Sequence, residues 1–166
     1  MTVAARSDTR ASASARNTLR DWSRGDRAID LYRASTLERV DIVKRGVPAS
    51  YLVVLTTCMA IPKEKLYRTI GLIRATVDRK TRLRKVLNQD ESERVVGIAR
   101  LVGQAQSLVQ ESGGAGNFDG AKWLAGWLDS PLPALDGRRP AEFMDTAEGR
   151  SLVSDLLAQQ QSGSYA

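Results

Sequence analysis

Apolar residues recur at helical spacing along one segment of the chain, and we call them the apolar seam. Its members follow one another at intervals of three, four, three and four residues: Val95, Ile98, Val102, Ala105 and Val109. This spacing places them on one face of an α-helix, which we predict over residues 91–110 with Asp90 and Glu93 as its capping pair. Such a helix packs lengthwise against other helices, either as core of its own chain or as a contact between two copies.

Capping signals and punctuation by Gly and Pro divide the preceding residues into further helices. Ser35 and Glu38 form a capping box, which predicts a helix over 36–45 that ends at Gly46. Other helices are predicted, in chain order, over residues 21–34, 49–60, 62–71 and 76–86. The sequence therefore predicts an all-α protein.

Charge divides the chain into two halves of opposite sign. Residues 1–85 hold 19 Lys and Arg against 8 Asp and Glu, a net charge of +11. Residues 86–166 hold 6 against 11, a net charge of −5. The first half therefore favours a polyanion as its partner, and the asymmetry indicates two binding surfaces rather than one catalytic pocket.

Basic residues are densest in the predicted helix over 76–86, which follows a short helix and a tight turn. This arrangement is typical of a helix-turn-helix, whose second helix enters the major groove of DNA. Arg79 and Arg82, one turn apart, are placed to reach guanine edges. The candidate DNA-binding residues are Arg74, Thr76, Arg79, Lys80, Thr81, Arg82, Arg84 and Lys85. The alternative is a solvated basic face on an ordinary helical bundle.

Composition argues against an enzyme. The chain has no His and a single Cys, Cys58, which lies in an apolar run where a thiol packs as a small hydrophobe. The carboxylate clusters lie where helix starts favour acidic residues, so capping explains them. We therefore expect no catalytic residue, no bound metal and no cofactor.

The last third of the chain carries its own helix signals. A glycine-rich stretch at 112–116 is typical of a linker. The helix predicted after it has one apolar face, formed by Phe118, Ala121, Leu124 and Leu128. A last helix is predicted to begin at the capping pair Asp145 and Glu148. Its apolar stripe consists of Gly149, Leu152, Val153, Leu156 and Leu157.

Three regions are predicted from these signals. They are a basic, partly flexible arm over 1–35, a helix-turn-helix module with a long connecting helix over 36–112, and a helical C-terminal domain with a tail over 117–166. The first twenty residues lack the apolar segment of a secretory signal, and no stretch approaches the roughly 20 apolar residues of a membrane-spanning helix. We therefore expect a soluble protein of the cytoplasm.

The last 40 residues combine residue types and spacings in a specific way. A Trp-Leu pair precedes a Pro-containing turn, and the run Asp-Thr-Ala-Glu-Gly follows at 145–149, before a Gly-x-Tyr-Ala ending. With Leu135, Gly137 and Pro140, these features closely resemble the C-terminal toxin-binding domain of the Xre/MbcA/ParS antitoxin family. Residues 76–102 are similar to the end of that family's Xre-type helix-turn-helix and the helix after it.

The resemblance implies an antitoxin that binds and neutralises a RES-domain toxin, which consumes NAD by degradation or by ADP-ribosyl transfer. It also implies a homodimer that represses its own operon. The C-terminal region is then expected to occlude the NAD-binding cleft of the toxin. From the resemblance, we expect ten residues to take part in toxin binding: Trp127, Arg138, Arg139, Pro140, Glu148, Ser162, Gly163, Ser164, Tyr165 and Ala166.

A second function stays open from the sequence alone. In it, the chain is a stand-alone transcription regulator that binds DNA through residues 76–85 and uses its C-terminal module only to dimerise. The neighbouring reading frame distinguishes the two functions, since a toxin and its antitoxin are expected to be adjacent.

Overall fold

Helices form the regular structure of the chain. A computed structural model describes Trp22, residues 26–111 and residues 118–161, and within them α-helices and two 3-10 turns occur without a β-strand. The α-helices are α1 Arg27–Arg33, α2 Thr36–Arg45, α3 Tyr51–Met59, α4 Lys63–Thr69, α5 Arg74–Arg82, α6 Gln89–Glu111, α7 Gly120–Leu128 and α8 Ala147–Gln161. The 3-10 turns are Pro133–Leu135 and Pro140–Phe143. The predicted all-α class is confirmed.

The long helix α6 is the central element of the fold. α1, α2, α7 and α8 all contact it. Val95, Ile98, Val102 and Ala105 are at most 1% exposed, so helices of the same chain bury the predicted seam. The interpretation of these residues as core is confirmed, and the alternative that they form a contact between two copies is wrong. Val109 lies outside the residues whose side chains are described.

The cap of α6 lies two residues before the predicted pair. Asn88 Oδ1 accepts a hydrogen bond from the Glu91 N–H at 2.8 Å, and the Asn88 N–H donates to Glu91 Oε2 at 2.8 Å. Asp90 instead pairs with Arg94, with 3.0 Å between Oδ2 and Nε. The prediction of Asp90 and Glu93 as the capping pair is therefore wrong, because the helix starts earlier and its box joins the N-cap to the third helical residue.

The helices before α5 follow the predicted pattern. Ser35 Oγ accepts a hydrogen bond from the Glu38 N–H at 3.2 Å, and Glu38 Oε2 accepts one from the Ser35 N–H at 2.7 Å, which confirms the capping box. Gly46 ends α2 with a φ of +87°, a conformation that favours glycine. Leu52, Leu55 and Met59 on α3 are buried, as are Leu66 on α4 and Ile70 directly after it.

α5 begins and ends earlier than predicted. It ends at Arg82, whereas the sequence predicted a helix as far as residue 86. Arg84 has a φ of +51°, a left-handed conformation that stops the helix, and the chain then turns so that Val86 pairs with Pro48. Arg84 and Lys85 therefore lie in a loop and not on the helix.

α7 begins after Phe118. Asp119 caps it, because Asp119 Oδ1 accepts hydrogen bonds from the N–H groups of Ala121 and Lys122 at 3.1 and 3.2 Å. The prediction that Phe118 belongs to the buried face is wrong, since about half of this residue is exposed. The other members of that face, Ala121, Leu124 and Leu128, are buried.

α8 packs its apolar stripe against the core, with Leu152 as the exception that reaches solvent. Thr146 caps this helix through Oγ1, which accepts a hydrogen bond from the Gly149 N–H at 3.1 Å, in place of the predicted Asp145. The predicted linker at 112–116 and the first 21 residues of the predicted arm lie outside the described residues. No described helix combines the length and the apolar character that crossing a bilayer requires.

Gly103 allows α1 to lie directly against α6. A Cβ atom at this position would stand 2.0 Å from the carbonyl oxygen of Ala28 and 2.8 Å from Cβ of Tyr32. Gly126 on α7 offers a contrast, since no described atom lies within 4 Å of the place of its Cβ. One glycine therefore permits a close approach, and the other leaves open space.

The variants Gly103→Ala and Gly126→Ala form a matched pair on two helices. We expect Gly103→Ala to lower the free energy of unfolding by about 1–3 kcal/mol, because the backbone of α1 must move away. Gly126→Ala is expected to raise it by about 0.5–1 kcal/mol, because alanine favours a helix. Urea denaturation followed by far-UV circular dichroism measures both. Equal effects of the two substitutions would contradict the close approach of α1 to α6.

Candidate functional site

α4, the turn over residues 70–73 and α5 form a helix-turn-helix unit. Val77 is buried and anchors α5 in the core. Lys63 Nζ on α4 lies 3.0 Å from both carboxylate oxygens of Asp78 on α5, and Tyr67 Oη lies 3.5 Å from Asp78 Oδ1. The hydrogen bond from Lys63 holds the pKa of the Asp78 carboxyl below its ordinary value. The carboxylate is therefore charged at neutral pH and joins the two helices.

Two candidate DNA-binding side chains are engaged within the chain. Arg74 Nη2 lies 3.2 Å from Glu64 Oε1, and Arg74 Nε lies 3.5 Å from Asp78 Oδ2. Lys80 Nζ lies 2.5 Å from Glu91 Oε2 in a mostly buried pair between α5 and α6. These ion pairs position the helix, so Arg74 and Lys80 are less free for a partner than their charge suggests.

The remaining candidates differ in exposure. Thr76 is half-buried, and Thr81 Oγ1 donates a hydrogen bond to a carbonyl of its own helix at 3.0 Å. Four of the candidate cations are exposed and form no ion pair with any residue of the described ranges. We call them the α5 basic surface, which consists of Arg79, Arg82, Arg84 and Lys85.

Backbone pairing joins the end of this surface to the segment after α2. Hydrogen bonds of 3.1 and 2.8 Å join the segment after α2 to the segment after α5. Lys44 and Arg45, both exposed at the end of α2, precede the paired segment, and Lys44 lines a cavity with Gln89 and Glu93 at the start of α6. Sequence analysis missed this pairing, because no local pattern indicates that two segments so far apart in the chain are neighbours.

Trp127 lines a small apolar cavity in the C-terminal part of the chain. Only 7% of this residue is exposed, and its Nε1 has no hydrogen-bond partner in the described part of the chain. The cavity measures about 130 Å³ and is lined by Trp127, Leu132, Pro133, Ala134, Leu156 and Gln160. A partner therefore reaches Trp127 mainly through this cavity and not across an open surface.

The other candidate toxin-binding residues described by the structure lie around the turn before α8. The guanidinium carbon of Arg138 lies 4.7 Å from the ring centroid of Phe143. Arg139 and Glu148 are exposed, whereas Pro140 is buried and serves the turn. Arg138, Arg139 and Glu148 are therefore open to a partner.

The predicted tail lies outside the described residues. It consists of Ser162, Gly163, Ser164, Tyr165 and Ala166. α8 ends directly before it, at Gln161, and Gln160 in the last turn lines the cavity of Trp127.

Polar contacts join the helix-turn-helix to the C-terminal part of the chain. Arg94 Nη1 on α6 donates hydrogen bonds to the carbonyl of Ile70 at 3.2 Å and to the carbonyl of Asp145 at 2.7 Å. Ser154 Oγ on α8 donates to Gln104 Oε1 on α6 at 3.0 Å. The α5 basic surface and the cavity of Trp127 therefore belong to one packed set of helices.

The described residues offer little for catalysis. Burial raises the pKa of the Cys58 thiol, so the thiol is protonated at neutral pH and is a weak nucleophile. The described ranges hold no group of three or more His, Cys, Asp and Glu arranged to bind a metal ion.

Two family models match the chain. The Antitoxin Xre-like helix-turn-helix domain matches residues 38–100, and the Antitoxin Xre/MbcA/ParS C-terminal toxin-binding domain matches residues 117–163. A relative from Sphingobium sp. (strain YBL2), named Prs ADP-ribosylating antitoxin, is 43% identical over 136 residues, which cover 82% of this chain and 86% of the relative. The chain belongs to the Xre/MbcA/ParS antitoxin family.

A second relative is more distant. Antitoxin Xre of Yersinia enterocolitica is 25% identical to the antitoxin over 127 residues, which cover 76% of this chain and 80% of the relative. The family predicted from the C-terminal sequence is confirmed, and the chain is an antitoxin of a toxin–antitoxin system. Its helix-turn-helix match contains α5 and the α5 basic surface, and its C-terminal match contains α7, the cavity of Trp127 and α8.

Proposed function

We propose that this antitoxin neutralises a RES-domain toxin by occluding the NAD-binding cleft of the toxin with its C-terminal region. The match of residues 117–163 to a toxin-binding domain carries the proposal. Residues 162–166 follow directly on the last residue of α8, and in this mode they enter the cleft while the exposed side chains near the start of α8 contact its rim. Inhibition is then steric, because NAD and the antitoxin compete for one site.

The charge of the C-terminal half supports this mode. A cleft that accepts an anionic dinucleotide is expected to be basic. Residues 86–166 carry a net charge of −5. The carboxylates exposed around the start of α8 and along it are Asp136, Glu142, Asp145, Glu148 and Asp155. Opposite charges speed the encounter of two proteins and fix their orientation, so an acidic region suits a basic cleft.

The name of the Sphingobium relative supports an NAD-consuming partner. That name joins an antitoxin to ADP-ribosylation. ADP-ribosyl transfer takes its ADP-ribose from NAD, so a toxin of this kind has an NAD-binding cleft to occlude. We assign the antitoxin itself a non-catalytic role, in which carboxylates such as Asp78 and Glu91 serve ion pairs and helix caps.

We further propose that the antitoxin represses its own operon through the α5 basic surface. The helix-turn-helix match over residues 38–100 and the four exposed cations of the α5 basic surface support operator binding. A homodimer would present two copies of α5 to two half-sites one turn of DNA apart. Because the seam of α6 is buried, the dimer contact lies elsewhere, and the exposed Leu37 and Val40 on α2 offer an apolar surface for it.

Deletion of residues 162–166 tests the mode of neutralisation. We expect the shortened antitoxin to stop protecting cells that express the adjacent toxin, with a fall in cellular NAD, because the cleft stays open. Far-UV circular dichroism should be unchanged, since α8 is complete at Gln161. Full protection and normal NAD with the shortened antitoxin would rule out a role for the tail.

The double variant Arg79→Ala and Arg82→Ala tests operator binding. We expect a loss of at least about tenfold in affinity for the DNA upstream of the gene, since each lost contact costs about 1–3 kcal/mol. Gel-shift titrations at several salt concentrations measure this loss. The control is Lys122→Ala on α7, outside the helix-turn-helix match, which should bind like the wild type.

The double variant should also protect cells from the toxin as well as the wild type does. That result would separate the two binding surfaces. DNA affinity equal to that of the wild type would remove Arg79 and Arg82 from operator recognition.

A further inference from the structure

Ile73 conflicts with two local preferences at the start of α5. It is the N-cap residue of this helix, a position where the side chain of Ser, Thr, Asp or Asn normally accepts a hydrogen bond from the first turn. An isoleucine offers no acceptor there, and this one is 72% exposed. Ile73 thus stabilises neither the cap nor the core, and such local conflicts are concentrated at functional sites.

The backbone around Ile73 is well held. The Leu72 N–H donates to the Tyr67 carbonyl at 2.8 Å, and the Val77 N–H donates to the Ile73 carbonyl at 3.1 Å. Leu72 and Val77, before and after it, are buried. Ile73 therefore reaches solvent from a fixed position and not from a loose turn.

One exposed cation on α5 forms no ion pair with any residue of the described ranges. Arg74 is held by its ion pairs with Glu64 and Asp78. Ala75 and Arg79 are exposed, and their spacing of four residues places them on one face of the helix. The first two turns of α5 therefore present an apolar side chain, a small residue that permits close approach, and a guanidinium without an ion pair in the described ranges.

Exposure alone does not single out a residue, because isolated apolar side chains are common on protein surfaces. Val53 on α3 is 54% exposed and is an example. Ile73 differs in its setting. Leu83 and Val86 are also exposed in the same short stretch of chain, which includes the α5 basic surface.

The N-terminal residues of the second helix of a helix-turn-helix contact base edges in the major groove. Thymine presents its C5-methyl group there, which apolar side chains contact, and guanine presents two acceptors that suit an arginine. We propose that Ile73 contacts a thymine C5-methyl group beside a guanine that Arg79 reads. Ile73 is then a specificity-determining residue, and this assignment rests on the proposed operator binding.

Uracil interference on the DNA upstream of the gene tests the assignment. Replacement of a thymine by uracil removes only the methyl group. We expect the full-length antitoxin to bind about fourfold more weakly when the contacted thymine is replaced, which corresponds to about 0.8 kcal/mol for one buried methyl group. Ile73→Ser should bind the thymine and uracil forms of that position equally.

Thermal unfolding separates this effect from a loss of structure. Serine is a favoured N-cap residue, so Ile73→Ser should unfold about 2–4 °C above the wild type while it binds DNA more weakly. Val53→Ser, which removes an exposed apolar side chain from α3, is the matched control. It should keep the wild-type difference between thymine and uracil.

Two results would overturn the assignment. In the first, operator binding is insensitive to uracil at every thymine, or Ile73→Ser retains the sensitivity to uracil. This result removes Ile73 from base recognition and leaves operator binding intact. Failure of the wild type to bind the fragment, while it still neutralises the toxin, removes operator binding and this assignment with it.

Discussion

The apolar seam of α6 is buried by helices from both ends of the described chain. Val95, Ile98 and Val102 are fully buried, and each such side chain stabilises the fold by about 1.5–3 kcal/mol. For this burial, α1 and α2, which precede α6 in the sequence, and α7 and α8, which follow it, must all lie against α6. Gly103 and Gly120 make the approach of α1 and α7 close, because a Cβ atom at either position would meet backbone atoms.

This arrangement places two binding surfaces on one scaffold. α5 is joined to α6 by the Lys80–Glu91 pair, and α8 is joined to α6 by the hydrogen bond between Ser154 and Gln104. The proposed operator surface and the proposed toxin surface therefore depend on the same central helix. The charge asymmetry of the sequence follows this division, since the α5 basic surface lies in the basic half and five exposed carboxylates lie around the start of α8 and along it.

Sequence predicted the parts of the fold that depend on local periodicity. The seam of α6 and the box of Ser35 with Glu38 were predictable, because helical spacing and capping act over a few residues. The true cap at Asn88 was missed because several polar residues there suit the same role. The ion pairs that hold Arg74 and Lys80 depend on tertiary contacts, which no local pattern reveals. The C-terminal site came from family resemblance, and its side-chain roles remain proposals.

The central claim is that the helix-turn-helix and the C-terminal helices unfold as one body around α6. Native-state hydrogen exchange over a range of urea concentrations tests it most directly, through the amides of Leu55 in α3, Val102 in α6 and Leu157 in α8. We predict that all three exchange with one opening free energy, that of global unfolding. Exchange of the Leu157 amide through a separate opening of lower free energy, with Leu55 and Val102 still protected, would contradict the claim.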